Sequence, residues 1–222
     1  SSSCGVKRLL GFVYHNEGEK QKPNEAHQLI SPSTSLISES HLFRPDVDHY
    51  MLNVALSYGV EYLDSTEVQQ INFHEDYVQV RTKNAEEYTA RFLADGSGFR
   101  SIVAEKLNIR EKPTRLKTNT RGIFTHVANL PAYDDCVSKE DLPGQSCKWH
   151  EGTLHHVFDG GWIWVIPFDN HSLSESSLCS VGLMLNGYKY PEKGADPEQE
   201  FYSIIKRFPS IANHLKDLKP VR

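Results

Sequence analysis

The chain has 222 residues and a formal net charge of −5 at pH 7, with 38% hydrophobic and 24% charged residues, which is ordinary for a globular protein. No cluster of lysine and arginine supplies the footprint that a phosphate backbone requires, which argues against nucleic-acid binding. No apolar stretch approaches the roughly 18 residues of a membrane helix, and the first residues lack a signal-peptide pattern. The four cysteines form no C-x-x-C pair, which predicts free thiols and a cytoplasmic protein.

The first half of the chain predicts a strand, a helix and a three-stranded meander. Residues 9–14 predict a short strand, whereas 31–40, rich in serine, predict irregular chain. The next helix is predicted from Pro45, which suits a first helical turn, to Gly59, which suits a left-handed cap. Its apolar residues fall on one face: Val47, Tyr50, Met51, Val54 and Tyr58. Alternating hydrophobicity then predicts three strands, over 67–73, 77–82 and 87–94.

The turn after this meander, Ala94-Asp95-Gly96-Ser97-Gly98, supports two interpretations. A strand, a glycine turn and a following helix from about 101 to 107 can direct backbone N–H groups at an anion, and Asp95 could accept from a ribose or ribityl hydroxyl. Alternatively, Asp95 is a local cap and the glycines serve a tight turn. The pattern is not a dinucleotide fingerprint, since no G-x-G-x-x-G occurs in the chain.

The second half predicts antiparallel strands followed by two helices. Strands are predicted over 121–127, 153–158 and 177–185, and an acidic stretch over 131–143 predicts a surface cover. Asp159-Gly160-Gly161 is a hairpin signal that joins 153–158 to a further strand. Helices are predicted over 197–207 and 210–215.

That further strand, residues 161–168, contains two of the three tryptophans. Period two places Trp162, Trp164 and Ile166 on one face and Ile163 and Val165 on the other. Both faces are apolar, which predicts a strand covered on both sides, and Pro167 predicts its end. The indoles either fill a core or wall a flat aromatic or cofactor pocket.

Metal and hydrolase chemistry find little support. Cys147, His150, His155 and His156 are close in sequence, but neighbouring strand residues face opposite ways, so His155 and His156 cannot ligate from one face. We therefore expect no metal site. Ser146 lacks the flanking glycines of a nucleophile elbow.

Four motifs in this order resemble the flavin-dependent halogenases, within the FAD monooxygenases built like p-hydroxybenzoate hydroxylase. They are HLFRPDVD at 41–48, YGV at 58–60, ADGSG at 94–98 and WIWVIP at 162–167. The W-x-W-x-I-P string is the specific part of the resemblance. The segment over 7–15 looks more like the branch that acts on phenolic or carrier-tethered substrates than the branch that acts on free tryptophan.

The resemblance implies a site and a set of partners. Arg44, Asp95 and Gly96 would lie along the FAD and the backbone of Val68 near its adenine. Trp162, Trp164, Ile166 and Pro167 would form a wall between flavin and substrate. Reduced FAD, oxygen and chloride or bromide would halogenate an electron-rich phenol, pyrrole or indole, free or carrier-tethered, and a separate flavin reductase would supply the reduced FAD.

The departures from the family pattern limit what can be carried over. The pyrophosphate-binding strand-turn-helix, the catalytic lysine and the later Gly-Asp segment are missing from this chain, so no catalytic residue is assigned. The implied fold is α+β or α/β, with a partial FAD-binding domain over 1–110, including the helix and meander, and a substrate-side domain over 111–222 with an antiparallel sheet and C-terminal helices. The chain is thus expected to be a central portion of such an enzyme. The competing hypotheses are an FAD-dependent aromatic hydroxylase and a non-catalytic flavin-fold binding module.

Overall fold

The computed structural model describes residues 3–30, 39–111, 113–142 and 145–221. Within these ranges the strands, in chain order, are β1 Gly5–Lys7, β2 Leu9–His15, β3 Ala26–Ile30, β4 Glu39–His41, β5 Val68–Phe73, β6 Val78–Thr82, β7 Glu87–Ala90, β8 Thr120–Ala128, β9 Thr153–Phe158, β10 Gly161–Pro167 and β11 Leu178–Asn186. The α-helices are α1 Arg44–Ser57, α2 Ile102–Lys106, α3 Tyr133–Cys136, α4 Pro197–Ile205 and α5 Pro209–His214.

The chain divides into two compact units, residues 1–50 with 118–222 and residues 51–117. The first unit contains a six-stranded sheet in the order β3-β2-β9-β10-β11-β8. Its strands are antiparallel except for the parallel pair β2 and β9. The short strands β1 and β4 pair separately. The predicted α+β class is confirmed, with a mixed sheet.

The core of the first unit lies on one face of this sheet. Sheet residues such as Val13, Ile163 and Val181 are fully buried there and pack with apolar residues of the helices and with Trp149. In α4, Asp196 caps the N-terminus by accepting from the Gln199 N–H at 3.0 Å. This helix buries Phe201, Ile204 and Ile205, which recur at helical spacing on its apolar side.

The second unit contains the predicted meander. Strands β5, β6 and β7 are antiparallel neighbours in chain order, because polar turns separate runs that alternate between apolar and polar residues. The first strand has a register irregularity between Val68 and Gln70. Helix α1, in which the boundary between the two units falls, ends before Gly59, whose φ of +86° is the left-handed cap that the sequence predicted.

The structure revises one sequence-based prediction and leaves two others untested. The acidic stretch over 131–143 is not simply a surface cover, because Tyr133 is 2% exposed and its hydroxyl donates to Gln21 Oε1. The irregular segment expected over 31–40 lies almost wholly outside the described residues, and its last two residues belong to β4. The assignment of 1–110 and 111–222 to flavin and substrate domains remains a prediction.

None of the described helices has both the length and the hydropathy that crossing a bilayer requires.

A candidate aromatic site on the open face of the sheet

The two faces of β10 differ sharply in exposure. Ile163 and Val165 are buried in the core, whereas Trp162 is 37% exposed and Trp164 and Ile166 are half-buried. The predicted alternation is therefore confirmed, and so is the end of the strand at Pro167. The expectation of cover on both sides was wrong within the described structure, because only the Ile163 side packs against helices. The indoles do not fill the core.

One row of residues crosses all six strands on this open face. The strand registers place Phe12 opposite His27 and His155, His155 opposite Trp164, and Gly182 between Trp164 and Phe124. We call the set the aromatic row: His27, Phe12, His155, Trp164, Gly182 and Phe124. Cross-strand neighbours in one row have Cβ atoms about 5 Å apart, close enough for rings to touch. Five of the six members of the row carry an aromatic ring.

Two pairs of rings within the aromatic row contact each other. Phe12 and His155 are stacked, with centroids 4.9 Å apart and an interplanar angle of 12°. Phe124 and Trp164 lie 6.2 Å apart at 37°. The absence of a side chain at Gly182 allows the contact between Phe124 and Trp164, because a Cβ at this position would overlap the indole of Trp164. The indole thus lies across the neighbouring strand, within reach of Phe124.

Polar groups beside these rings have defined partners. Trp164 donates from Nε1 to the Ser180 hydroxyl at 3.2 Å. His155 Nδ1 lies 3.1 Å from the Gly11 carbonyl oxygen, which only accepts, so Nδ1 carries the proton. Burial lowers the pKa of His155, which keeps the ring neutral. Its Nε2 is therefore an unprotonated hydrogen-bond acceptor within the row.

The remaining wall residues lie around the row. Trp162 pairs with Val157 and Met184, one rung along the sheet from Trp164. Ile166 pairs with Ser180 on the other side. Pro167 is buried and belongs to the opposite face of β10, so it does not contribute a side chain to the open face. Three of the four predicted wall residues thus share one surface.

The predicted cofactor residues lie in both units. Arg44 begins α1 and is exposed, and its guanidinium binds the Asp48 carboxylate through Nε at 2.8 Å and Nη2 at 2.9 Å. In the second unit, Val68 begins β5 and is exposed. Gly96 has open space where a Cβ would stand, so its backbone is accessible to a ligand. The roles of these residues at a cofactor remain predictions.

Asp95 has the local role that the second interpretation described. Its carboxylate accepts from the Ser97 hydroxyl and N–H and from the Val103 N–H at 2.9 Å. The hydrogen bond from the Ser97 side chain is the largest cause that lowers the Asp95 pKa. The carboxylate therefore fixes the turn and the first turn of α2. Oδ1 accepts from both Ser97 donors and Oδ2 from the Val103 N–H, so both carboxylate oxygens already have local partners.

The residues weighed as metal ligands are not assembled into a site. His155 is half-buried on the open face and His156 is fully buried on the core face, as their adjacent strand positions predicted. Across the described ranges, no group of three or more His, Cys, Asp or Glu side chains is arranged to hold a metal ion.

Sequence reasoning missed Phe12, Phe124 and Gly182 as members of the site and considered His155 only as a metal ligand. Alternation within 9–14 and 121–127 already separates Phe12 from Val13 and Phe124 from Ile123. What the sequence lacks is the strand order and register that bring these positions into one row.

Comparisons with known proteins identify relatives of the whole chain. The protein-family model described as tryptophan halogenase matches residues 13–216. Monodechloroaminopyrrolnitrin halogenase PrnC of Pseudomonas fluorescens is 42% identical over 222 residues, and tetracycline 7-halogenase of Kitasatospora aureofaciens is 41% identical over 223 residues. Each alignment covers 100% of this chain but only 39% and 40% of the two relatives. The chain thus spans about two fifths of the length of these curated relatives.

Solved structures show the same fold. The halogenase PltM in complex with phloroglucinol and FAD superposes with a TM-score of 0.92 and 34% identity, covering 100% of this chain and 43% of that one. The flavin-dependent halogenase CmlS superposes with a TM-score of 0.67 at 20% identity, which speaks for the fold alone.

Proposed function

Because the chain belongs to the tryptophan halogenase family, we propose that the protein containing it is a flavin-dependent halogenase of an electron-rich aromatic compound. The observation that carries the proposal is the aromatic row on the open sheet face. Stacked and tilted rings at 4.9 and 6.2 Å form a flat apolar surface complementary to another ring. The substrate class is a phenol, pyrrole or indole.

Three residues are assigned roles in holding this substrate. The indoles of Trp164 and Trp162 exclude water and support the face of the substrate ring. His155 accepts a hydrogen bond at Nε2 from the O–H of a phenol or the N–H of a pyrrole or indole. Once a bound ring covers this half-buried acceptor, it discriminates against analogues that lack the donor, because it is then left without a partner. Binding energy and orientation thus come from this chain.

The proposed cofactor is FAD, with Arg44, Val68, Asp95 and Gly96 along it. When reduced and bound, it supplies with oxygen and halide the oxidant that halogenates the ring. The fit of this chain to FAD is partial: Arg44 is exposed and Gly96 is open to approach, but no glycine-rich pyrophosphate loop occurs in the sequence. The contacts to the diphosphate are therefore assigned to sequence outside this chain.

The proposed partners follow from the same chemistry. A separate flavin reductase delivers reduced FAD, and chloride or bromide is the co-substrate. The substrate is a small aromatic molecule, free or bound to a carrier protein. The cytoplasm is the proposed location, which four unpaired cysteines support.

Product analysis of the full-length protein tests the proposal. The protein is supplied with reduced FAD, oxygen and bromide or chloride, together with a panel of phenols, pyrroles and indoles, and products are identified by mass spectrometry. We expect halogenated products. Hydroxylated product without halogen at saturating halide would favour an aromatic hydroxylase, and ligand binding without turnover would favour a binding module.

The role of His155 has a sharper test in His155→Phe. This variant keeps a ring to stack on Phe12 but removes the Nε2 acceptor. We expect KM for a phenol to rise about tenfold, in line with one lost hydrogen bond, while binding of the O-methylated analogue, which has no donor, is unchanged. If the phenol and its O-methylated analogue lose affinity equally, His155 contributes only packing.

A further inference from the structure

His41, in the motif that precedes α1, is buried and uses both ring nitrogens. It ends strand β4 and is 5% exposed. Its Nδ1 lies 2.9 Å from the Pro167 carbonyl oxygen, and its Nε2 lies 2.9 Å from the Thr153 hydroxyl oxygen. One imidazole therefore bridges β10 and β9.

The two partners fix the tautomer of His41. A carbonyl oxygen only accepts, so Nδ1 carries the proton and donates to Pro167. Nε2 is then unprotonated and accepts from the Thr153 O–H. Burial lowers the pKa of His41 to about 4, which agrees with a neutral ring at physiological pH.

This bridge lies where the strand ladder ends. The paired residues of β9 and β10 run as far as Leu154 and Val165, and Pro167 has no N–H with which to continue the ladder. The imidazole takes the place of the next rung by joining Thr153 to the Pro167 carbonyl. Ile166 and Pro167 stay paired with Ser180 and Cys179 of β11, so the imidazole joins this end of β10 to β9 on its other side.

Phe43, two residues after His41, adds ring contacts near the same end of β10. Its ring packs edge-on against Phe168 at 5.3 Å and against His126 at 5.6 Å. Phe168 directly follows β10, and its N–H donates to the Leu178 carbonyl oxygen at 3.0 Å. The segment from His41 to Phe43 thus contacts the end of the tryptophan strand through one hydrogen bond, to Pro167, and one ring contact, to Phe168. It also contacts the neighbouring strands β9 and β8 through Thr153 and His126.

We propose that His41 is a positioning residue for the aromatic site. By binding the Pro167 carbonyl and the Thr153 hydroxyl, it sets where Trp164 and Ile166 lie on the open sheet face, without touching the substrate. The functional part of this inference rests on the proposed function, since it assumes that the open face binds an aromatic ring. The structural part concerns the end of β10 alone.

The test compares two variants of His41 in the full-length protein. His41→Asn keeps an N–H donor close to the position of Nδ1 and loses the acceptor, whereas His41→Leu loses both groups. Hydrogen exchange reports on the strand itself. In His41→Leu we expect about tenfold faster exchange at the Phe168 amide, as for one lost hydrogen bond, and unchanged exchange at Ile163. His41→Asn should lie close to wild type, and His74→Leu, in the turn after β5, is the control that should change neither amide.

A second readout separates this inference from the proposed function. Wild-type affinity for a panel of phenols, pyrroles and indoles is measured by calorimetry, and we expect His41→Leu to weaken it about tenfold and His41→Asn to restore most of it. Wild-type protein that binds none of these compounds would refute the proposed function, while the exchange data would still decide the role of His41 at the strand end. Binding by wild type and His41→Leu with equal affinity would overturn the positioning role and leave the proposed function standing.

Thr153→Val keeps the experiment decisive if His41→Leu does not fold. It removes only the hydroxyl that donates to Nε2, so we expect a smaller change of the same sign at the Phe168 amide. The tautomer is read directly from the 15N shifts of the His41 ring in wild type. A proton on Nε2 at neutral pH, or exchange that rises uniformly along β10, would overturn the proposal.

Discussion

The indole of Trp164 lies over Gly182 on the adjacent strand, in the space that a Cβ at Gly182 would occupy. The absence of a side chain at one residue therefore determines where the largest ring of the open face can lie. It also brings the indole within 6.2 Å of the Phe124 ring on the next strand.

Gly182→Ala should displace the Trp164 indole. The added methyl group meets a rigid ring and the strand leaves no room to shift, so we expect a loss of about 1–3 kcal/mol in the free energy of unfolding, as for other overpacked positions. Urea unfolding measures this loss. Gly122→Ala is the matched control on β8, where the nearest atom is the flexible Met184 Sδ at 2.9 Å, and it should cost less. Equal costs for both variants would contradict the special role of the glycine beneath the indole.

Trp164→Phe tests whether the tryptophan strand shapes the chemistry. A large apolar ring remains, so the stability cost should be below about 1.5 kcal/mol. We expect the full-length protein to form less halogenated product per reduced FAD consumed and to release more peroxide, because the substrate is held less firmly. Mass spectrometry and a peroxide assay provide the measurement.

Ser180→Ala distinguishes the effect of the Trp164 ring from the effect of its hydrogen bond in that experiment. This variant leaves the indole in place but removes the acceptor of the Nε1–H at 3.2 Å. If it reproduces the loss of product yield seen in Trp164→Phe, the hydrogen bond rather than the indole surface is what matters. If Trp164→Phe leaves the yield of halogenated product unchanged, Trp164 contributes to packing only.

Asp95→Ala should destabilise the second unit. The carboxylate binds the N–H groups of Ser97 and Val103, and Ala provides no acceptor for them. We expect the melting temperature of this unit to fall by a few degrees. Asp95→Asn keeps one acceptor oxygen, so it should lower the melting temperature by less. Since hydrogen bonding lowers the folded-state pKa, the contribution is present above the ordinary aspartate pKa and is lost as the pH falls through the lowered value. An unchanged melting temperature together with weaker FAD binding in the full-length protein would instead support a role at the cofactor.

The 222-residue chain by itself should bind FAD far more weakly than the full-length protein. The sequence has no glycine-rich pyrophosphate loop, and backbone contacts to the diphosphate supply much of the affinity for such cofactors. A fluorescence titration of both proteins measures the difference. Tight binding of FAD by the short chain would contradict the assignment of the diphosphate contacts to sequence outside it.

Local patterns in the sequence were sufficient to predict most elements. Period two and the DGG turn predicted β9 and β10, and Gly59 predicted the end of α1, because each signal acts within a few residues. The faces of β10 were assigned correctly from alternation, but which face is covered depends on elements distant in sequence. The aromatic row required the registers of six strands, and the parallel pairing of β2 with β9 has no local signal. The role of His41 could not be predicted for the same reason, since its partners are 112 and 126 residues away.

Three buried histidines in the core of the first unit form a directed hydrogen-bond chain. His15 Nε2 lies 2.9 Å from His156 Nδ1, and His156 Nε2 lies 3.0 Å from His214 Nδ1. His214 Nε2 lies 3.1 Å from the Pro131 carbonyl oxygen, which only accepts. Each ring therefore donates from Nε2, and His156 and His214 accept at Nδ1. The Nδ1 of His15 is buried without a hydrogen-bond partner among the described residues. The chain ties β2, β9 and α5 together.

Acidification should destabilise the protein between about pH 6.5 and pH 4 through this chain. Burial lowers the pKa of His15 and His214 to about 4 and that of His156 well below its ordinary value, whereas the unfolded chain keeps values near 6.5. The unfolded state then binds more protons in this window, so the free energy of unfolding falls as the pH falls, by about 1.4 kcal/mol per pH unit for each histidine. Above about pH 7 this contribution is complete, and the free energy of unfolding should no longer change with pH.

Urea unfolding followed by tryptophan fluorescence at pH 5, 6, 7 and 8 measures the slope. His15→Leu should reduce the slope by one proton, and His74→Leu, at an exposed position, should leave it unchanged. Equal stability of the wild type at pH 5 and pH 7.5 would contradict this prediction.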